Sequence, residues 1–529
     1  MAEQIDDYFT ATLLARGDAH AHTERTGPKQ RDDRAPLVAG SAITVERALE
    51  IFDAQLGSRH LDLAARALRA EQKGYYTIGS SGHEGNAAVA ASLRGTDPAL
   101  LHYRSGAFFL ERARQCGGSD PLRDVLLGMV AASEEPMSGG RHKVFGRHDM
   151  HVIPQTSTIA SHLPRAFGLA FMLGRANKFA DVCPWPADAV VVTSLGDASA
   201  NHSTALGAIN AALNAVYRGI DTPLLIVCED NGIGISTKTP DGWIATTYGN
   251  RPDLAYFTAE GSDLVDAHTT SEAAVKWVRE QRKPAFLHLR TVRLMGHAGT
   301  DYELSYRTTR DISADYARDP VLATAQLLVD QGHRTVSEVI GLYEDKRVEV
   351  MGLASTAAAA PQLDSAEAVV APLVAGMRDA QRASRTVEPV AQRGHTLAQA
   401  INAALDDVMA EYRQAVLFGE DVGRKGGVYG VTRGLYKKYG AARVFDTILD
   451  EQTILGIALG AGLSGMLPIP EIQYLAYVHN ALDQIRGEGA TLQFFSNGQY
   501  RNPGIVRIAG YGYQKGFGGH FHNDNSVAA

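Results

Sequence analysis

The sequence predicts an α/β protein with two parallel-sheet modules in tandem. Short runs such as DAVVVTSL, PLLIVCE and AFLHLRTVRL are apolar on both faces, as strands covered by helices on each side must be. Stretches with apolar residues three and four apart lie between them, and that alternation favours parallel strands with crossover helices. An Ala-rich stretch over 351–394 then separates this pattern from a second one of related design.

Residues 1–40 are expected to be a flexible N-terminal segment, polar over AHTERTGPKQRDDRAPLV. The first module spans 41–350 and opens on the helical pattern TVERALEIFDAQLGSRHLDLAARALRAEQKG. Residues 351–394 read as a helical tail and linker. The second module, 395–529, offers helix TLAQAINAALDDVMAEY, strand QAVLFGED, helix TILGIALGAGLSG, strand LPIPEIQY, helix HNALDQIRGEGATLQFF and strand GIVRIAG. It reads as incomplete, because a further helix is only starting at GGHFHNDNSVAA.

A chain of 529 residues exceeds a single core, and 45% hydrophobic with 21% charged residues is ordinary for a globular protein. A net charge of −8 gives no support for nucleic-acid binding. No apolar run reaches the ~18 residues of a membrane span. The first residues lack the basic and apolar regions of a signal peptide. Cys116, Cys183 and Cys228 lie too far apart for a disulfide scaffold or a zinc site, which fits a reducing cytoplasm.

Gly196-Asp197 ends one strand-like run and Asn231 ends the next. Ligands of open parallel sheets sit beyond the carboxyl ends of the strands. A carboxylate and an amide oxygen there suit a hard cation such as Mg²⁺, and a helix starting near Ser203 would aim N–H groups at a phosphate. A helix cap at Asp197 and a turn at Asn231 account for the same residues equally well.

The pair resembles the thiamine-diphosphate signature, and the resemblance extends along the chain. GHEGNAAVAASLRGTDPALLHYRSGAFFL, TSTIASHLPRAFGLAFMLG and RLMGHAGTDYELSYRTTRD are similar to the α-subunit of 2-oxoacid dehydrogenase E1 components. The run from LFGEDVGRKGGVYG to HNALDQI is similar to the β-subunit. The whole resembles a fusion of the two, branched-chain or pyruvate type, with thiamine-diphosphate-binding modules and without the C-terminal transketolase-type domain. It implies thiamine diphosphate and Mg²⁺ as cofactors and a lipoyl-bearing E2 acyltransferase as partner. It also implies at least a homodimer that decarboxylates a 2-oxoacid. A branched-chain acid such as 3-methyl-2-oxobutanoate comes first and pyruvate second. A transketolase-like transferase and an inactive cofactor-binding assembly subunit are the alternatives.

The resemblance also implies roles. Glu451 would hydrogen-bond the cofactor's aminopyrimidine, although a carboxylate at a helix N-terminus explains it as well. His297 would assist at the mouth of the site, and His522, with His520 as a competitor, would bind the substrate carboxylate. Tyr103 and Arg104 would hold the diphosphate alongside Gly196 and Ala198. Ile159 would contact the aminopyrimidine through its backbone and Tyr477 through its ring. Asp197, Asn231 and the carbonyl of Ile233 would ligate the metal. Arg307 matches a loop arginine. Ala198 replaces the usual glycine and Glu229 an arginine of some relatives, which unsettles the phosphate contacts, and His162 stands where glutamine is common. Ala298 stands where some relatives carry a regulatory serine. His142, His148 and His151 read as a polar loop rather than a zinc site, and Gly510-x-Gly512 lacks the third glycine of a dinucleotide fingerprint.

Overall fold

The computed structural model describes residues 2–20, 32–143, 145–156, 158–179, 182–382, 394–510 and 522. Two parallel sheets form its framework. The first contains β1 (Ala99–Leu100), β2 (Val191–Gly196), β3 (Leu224–Asp230), β4 (Ala255–Glu260) and β5 (Ala285–Arg290) in the order β1-β2-β3-β5-β4. The second contains β6 (Ala415–Gly419), β7 (Val444–Asp446), β8 (Leu467–Ile472) and β9 (Arg507–Ile508) in the order β9-β8-β6-β7. Every neighbouring pair in both sheets is parallel.

The apolar character on both faces has a direct structural origin. Val190, Val192, Leu225 and Val227 join one core cluster, while Val191, Leu195, Leu224 and Ile226 join another. Successive side chains alternate across a strand, so the first sheet is covered on both faces.

The helices packed around the sheets include α1 (Ala2–His20), α2 (Val45–Ala70), α3 (His162–Ala176), α4 (Ser203–Tyr217), α5 (Val336–Ala357) and α6 (Glu451–Leu463). Over residues 2–20, α1 corrects the expectation of a flexible segment. Ile5, Phe9 and Leu13 recur every four residues, forming one stripe, and all three are buried. Phe9 stacks on Tyr343 of α5 at 4.2 Å, and the Tyr343 hydroxyl donates to Asp6. α5 runs through the module boundary expected at 350. A further helix, Ala366–Arg382, lies within the expected tail.

α2 carries Arg59, fully buried, which donates to both oxygens of Asp319 (2.7 and 2.8 Å) and to Glu84 (2.9 Å). A buried guanidinium requires such partners, and removing one would strand a charge.

The two modules meet where α3 crosses α6. A Cβ on Gly168 would lie 2.2 Å from the Gly456 carbonyl oxygen, and one on Gly460 would lie 2.0 Å from the Leu169 nitrogen. Only glycine lets the backbones come this close. One core cluster spans both modules here, joining Phe167, Phe171 and Leu173 to Phe418, Phe445, Ile454 and Ile457.

One expected helix is broken. HNALDQIRGEGATLQFF forms a 3₁₀ segment ending at Ala481, a π-helical turn over Gln484–Gly489 and a short helix over Leu492–Phe495. The wider turn carries buried Glu488 inward, where it accepts from Ser161 Oγ at 2.5 Å and pairs with Arg165 at 3.2 Å.

Gly460→Ala is expected to cost about 1–3 kcal/mol in denaturant unfolding, because overpacking outweighs its gain in helix propensity. Gly174→Ala in the same α3 meets nothing within 4 Å and should be neutral or stabilising by up to ~1 kcal/mol.

Candidate active site

The carboxyl ends of β1, β2 and β3 supply one group of site residues. Asp197 follows β2 and is 1% exposed. Thr239 Oγ1 donates to one of its oxygens, and the backbone N–H of Asn231 approaches the other at 3.4 Å. Burial pushes its pKa up, opposed by the Thr239 hydroxyl and reinforced by Asp230. Among the described residues Asp197 has no cationic partner.

Asn231 is oriented by a relay. Its side-chain amide donates to His83 Nε2 (2.9 Å), and His83 Nδ1 donates to buried Glu229 (2.7 Å). Glu229 also accepts from Asn86 at 3.2 Å. With its nitrogen engaged, Asn231 presents its oxygen on the other side, where the Ile233 N–H reaches it at 3.1 Å. The glutamate that departs from the arginine of some relatives is therefore used inward. The departure at 198 is also accommodated, because a Cβ at 234 would fall 2.4 Å from that of Ala198 and position 234 is glycine.

The second group lines a cavity of about 460 Å³. Tyr103, Ile159, Ala198 and His297 meet there, with His102, Lys143, His202 and Ile235 among its other walls. Ile235 is a β-branched residue at φ 57, its carbonyl held by Arg293 Nη1 at 2.7 Å. Such left-handed backbone is costly and persists only where its surroundings fix it.

Arg104 donates to the Gly79 carbonyl and to His297 Nδ1 (3.2 Å). A guanidinium only donates, so the neutral imidazole carries its proton on Nε2. Burial, then Arg104 and Arg293, lower the His297 pKa to about 4, opposed by Asp301. Arg307 lies apart from this group, paired with Glu303 and Asp315.

The third group belongs to the second module. Glu451 begins α6, is 8% exposed and accepts from Asn480 Nδ2 at 3.0 Å. Tyr477 precedes Asn480 in the same 3₁₀ segment and meets His522 Nε2 at 2.9 Å through its hydroxyl. Glu420 stands close by, its pKa raised to about 7 by burial and then by Glu451, Asp421 and Asp450. Glu451 does not line the cavity. Its neighbour Gln452 does reach the first module, accepting from Thr204 Oγ1 at 2.6 Å, two residues beyond the cavity wall at His202. His520 lies outside the described residues.

A family model described as dehydrogenase E1 component matches residues 53–366. The chain belongs to the dehydrogenase E1 component family. A second model, the pyrimidine binding domain of transketolase, matches residues 393–515 of this E1-family chain. Over 132 residues it is 43% identical to a 3-methyl-2-oxobutanoate dehydrogenase subunit beta of Mycobacterium tuberculosis, covering 25% of this chain and 37% of that one. Over 129 residues it is 46% identical to a mitochondrial 2-oxoisovalerate dehydrogenase subunit beta of Dictyostelium discoideum (24% and 34%). Over 112 residues it is 42% identical to a pyruvate dehydrogenase E1 component subunit beta of Bacillus subtilis (21% and 34%). The E1-family chain thus spans little more than a third of the length of these curated relatives.

The donors around Asp197 fit a hard cation, since carboxylate, amide and carbonyl oxygens are what Mg²⁺ prefers. The cavity also fits a ligand rich in hydrogen-bonding groups. Both ring nitrogens of His102 are buried and lack a partner among the described residues, and its ring sits over Gly196. Sequence reasoning missed His83, His102, Lys143 and Glu420. Position 83 fell inside a quoted motif, but nothing in its spacing marked it as the support of Asn231. Of the loop histidines, His142 stacks on Phe495 and His151 accepts from Trp185 Nε1 at 3.2 Å. Among the described residues no group of three or more His, Cys, Asp or Glu is arranged to hold a metal ion.

His297 is expected to titrate near pH 4 by NMR, and Arg104→Gln to move it upward. Its native pKa lies below the ordinary imidazole value of about 6.5, so the unfolded chain takes the proton more readily. The native state therefore loses stability as pH falls through the window from about 6.5 to about 4. His297→Asn should abolish that share of the acid destabilisation.

Proposed function

We propose that this chain carries out thiamine-diphosphate-dependent oxidative decarboxylation of a 2-oxoacid and passes the acyl group to the lipoyl domain of an E2 acyltransferase. The observation that carries this reading is Asp197, a buried carboxylate without a counter-charge among the described residues, beside an Asn231 whose nitrogen is held by His83. Asp197, Asn231 and the Ile233 carbonyl would hold Mg²⁺. Gly196, Ala198, Tyr103 and Arg104 would hold the diphosphate, Arg104 with the planar fork that phosphate oxygens favour. When bound, thiamine diphosphate supplies the electron sink for loss of CO₂.

The protein's own residues bind and move protons. Glu451 would hydrogen-bond the aminopyrimidine, and the Ile159 backbone and the Tyr477 ring would pack against it. His297 would offer its Nε2–H to the substrate oxygen, and its burial, then Arg104 beside it, keep it neutral at pH 7 in the resting state. His522 takes the substrate carboxylate. Tyr76, Ile78, Leu101 and Phe145 make the cavity largely apolar, which supports a branched-chain acid such as 3-methyl-2-oxobutanoate first and pyruvate second. No described helix is long and apolar enough to cross a membrane. Free, separated cysteines support a cytoplasmic setting. Leu449 and Leu482, both exposed on the second module, are apolar side chains that the homodimer of this reading would cover.

The test is to titrate thiamine diphosphate with Mg²⁺, follow ferricyanide reduction with each 2-oxoacid, and then assay acylation of a lipoyl domain. Glu451→Gln should lower kcat by about 10²-fold or more while leaving cofactor affinity nearly unchanged. Asp197→Asn should weaken Mg²⁺-dependent cofactor binding at least tenfold. Absence of cofactor binding by the wild type at millimolar concentration would end the proposal.

A further inference from the structure

One wall of the cavity carries a charge that none of the roles above uses. Lys143 is 9% exposed and lines the cavity beside Tyr76, Ile78, Phe145 and Gln155. Its Nζ lies 3.4 Å from the centre of the Phe145 ring and 4.8 Å from that of Tyr76. Among the described residues it forms no hydrogen bond or ion pair with a carboxylate. The two acids whose charge reaches it, Asp62 and Glu135, are engaged by other donors. Asp62 Oδ2 accepts from the Ser80 N–H (2.6 Å), the Ser81 N–H (2.6 Å) and Ser81 Oγ (2.7 Å). Glu135 accepts from the Met137 N–H (2.9 Å) and from Ser138. Among the described residues no aspartate or glutamate lines the cavity, whereas His102, His142, His202 and His297 do.

Burying an ammonium against two aromatic rings without an anion is expensive. The cost shows in its proton affinity. Burial pulls the Lys143 pKa down to about 7, with Asp62 and Glu135 only partly opposing. Aromatic faces recover part of that cost but cannot accept three N–H bonds. A methionine or leucine at 143 would fill the same space without penalty, so the charge makes sense as half of a pair completed by a ligand.

We propose that Lys143 is the acid-recognition residue of this cavity, its ammonium pairing with a carboxylate of the acid substrate. The proposal rests on the 2-oxoacid reading and refines it. An apolar acyl pocket selects by shape and discriminates weakly, whereas a buried charge left unpaired by the wrong ligand discriminates strongly. The carboxylate has two sources, the one every 2-oxoacid carries next to its keto carbon, which Lys143 would share with His522, and a second one at the far end of a dicarboxylic acid, which would be its own.

The experiment uses acids without a keto carbon, which bind without turnover. Calorimetric titration of the full chain with 3-methylbutanoate and with pentanedioate compares wild type, Lys143→Met and Lys143→Arg, with 3-methylbutanamide as the uncharged control. Lys143→Met, close in shape and apolar, should keep the wild-type melting temperature or raise it. It should bind acid at least tenfold more weakly and leave the amide unchanged, and Lys143→Arg should recover most of the loss. Weakening of both acids assigns the pair to the carboxylate common to all substrates, and weakening of pentanedioate alone assigns it to the distal one. Wild-type affinity of Lys143→Met for both acids, no saturable acid binding by the wild type, or a loss confined to thiamine diphosphate affinity would overturn the proposal. Because the probes do not react, a chain that fails to decarboxylate any 2-oxoacid still gives a readable result here.

Discussion

The close crossing of α3 and α6 is the constraint on which the site depends. Two helices separated by side chains pack with their axes ~8–10 Å apart and can slide by fractions of a turn. Here Gly168, Gly456 and Gly460 bring backbone onto backbone, leaving no side-chain layer to rearrange. Glu451 is the first residue of α6, so its position relative to the first module is set within a few residues of that crossing. Gln452 and Thr204 add a hydrogen bond at the same edge. A groove closed in this way transmits geometry from one module to the other without needing a large interface.

Polar order around the strand ends follows a second constraint. Every buried donor or acceptor needs a partner, and a partner fixes orientation. Glu229 fixes the tautomer of His83, and His83 fixes the amide of Asn231. Arg104 does the same for His297. In each case one side chain decides which atom its neighbour presents. Among the described residues Asp197 has no cationic partner, both ring nitrogens of His102 lack a hydrogen bond, and Lys143 pairs with no carboxylate, and the last two line the cavity.

What was legible in the sequence was whatever depends on local pattern. Strands β2, β3 and β5 announced themselves because both faces are buried, and Gly196-Asp197 stood out because it ends such a strand. β4 was missed because its YFTAE alternation exposes one side. α1 was missed because three buried residues in nineteen do not register against Asp, Glu and Arg on the remaining faces. The π-helical turn was missed because its cause is tertiary, the pull of Arg165 and Ser161 on Glu488. His83 and Lys143 carry no periodicity at all. Their significance lies in contacts with residues far along the chain, which spacing cannot express.

Joining the modules in one chain changes what the α3–α6 contact must achieve. Association of separate subunits costs several kcal/mol of translational and rotational freedom before any contact is rewarded. A tether replaces that cost with an effective concentration in the millimolar range. A contact built on glycine, which buries little side-chain area of its own, can then suffice to set geometry. The shared core around Phe171, Phe418 and Phe445 supplies the remaining cohesion. That division of labour, with apolar bulk for adhesion and bare backbone for registration, explains how glycines that weaken α6 as an isolated helix can hold Glu451 in place in the folded chain.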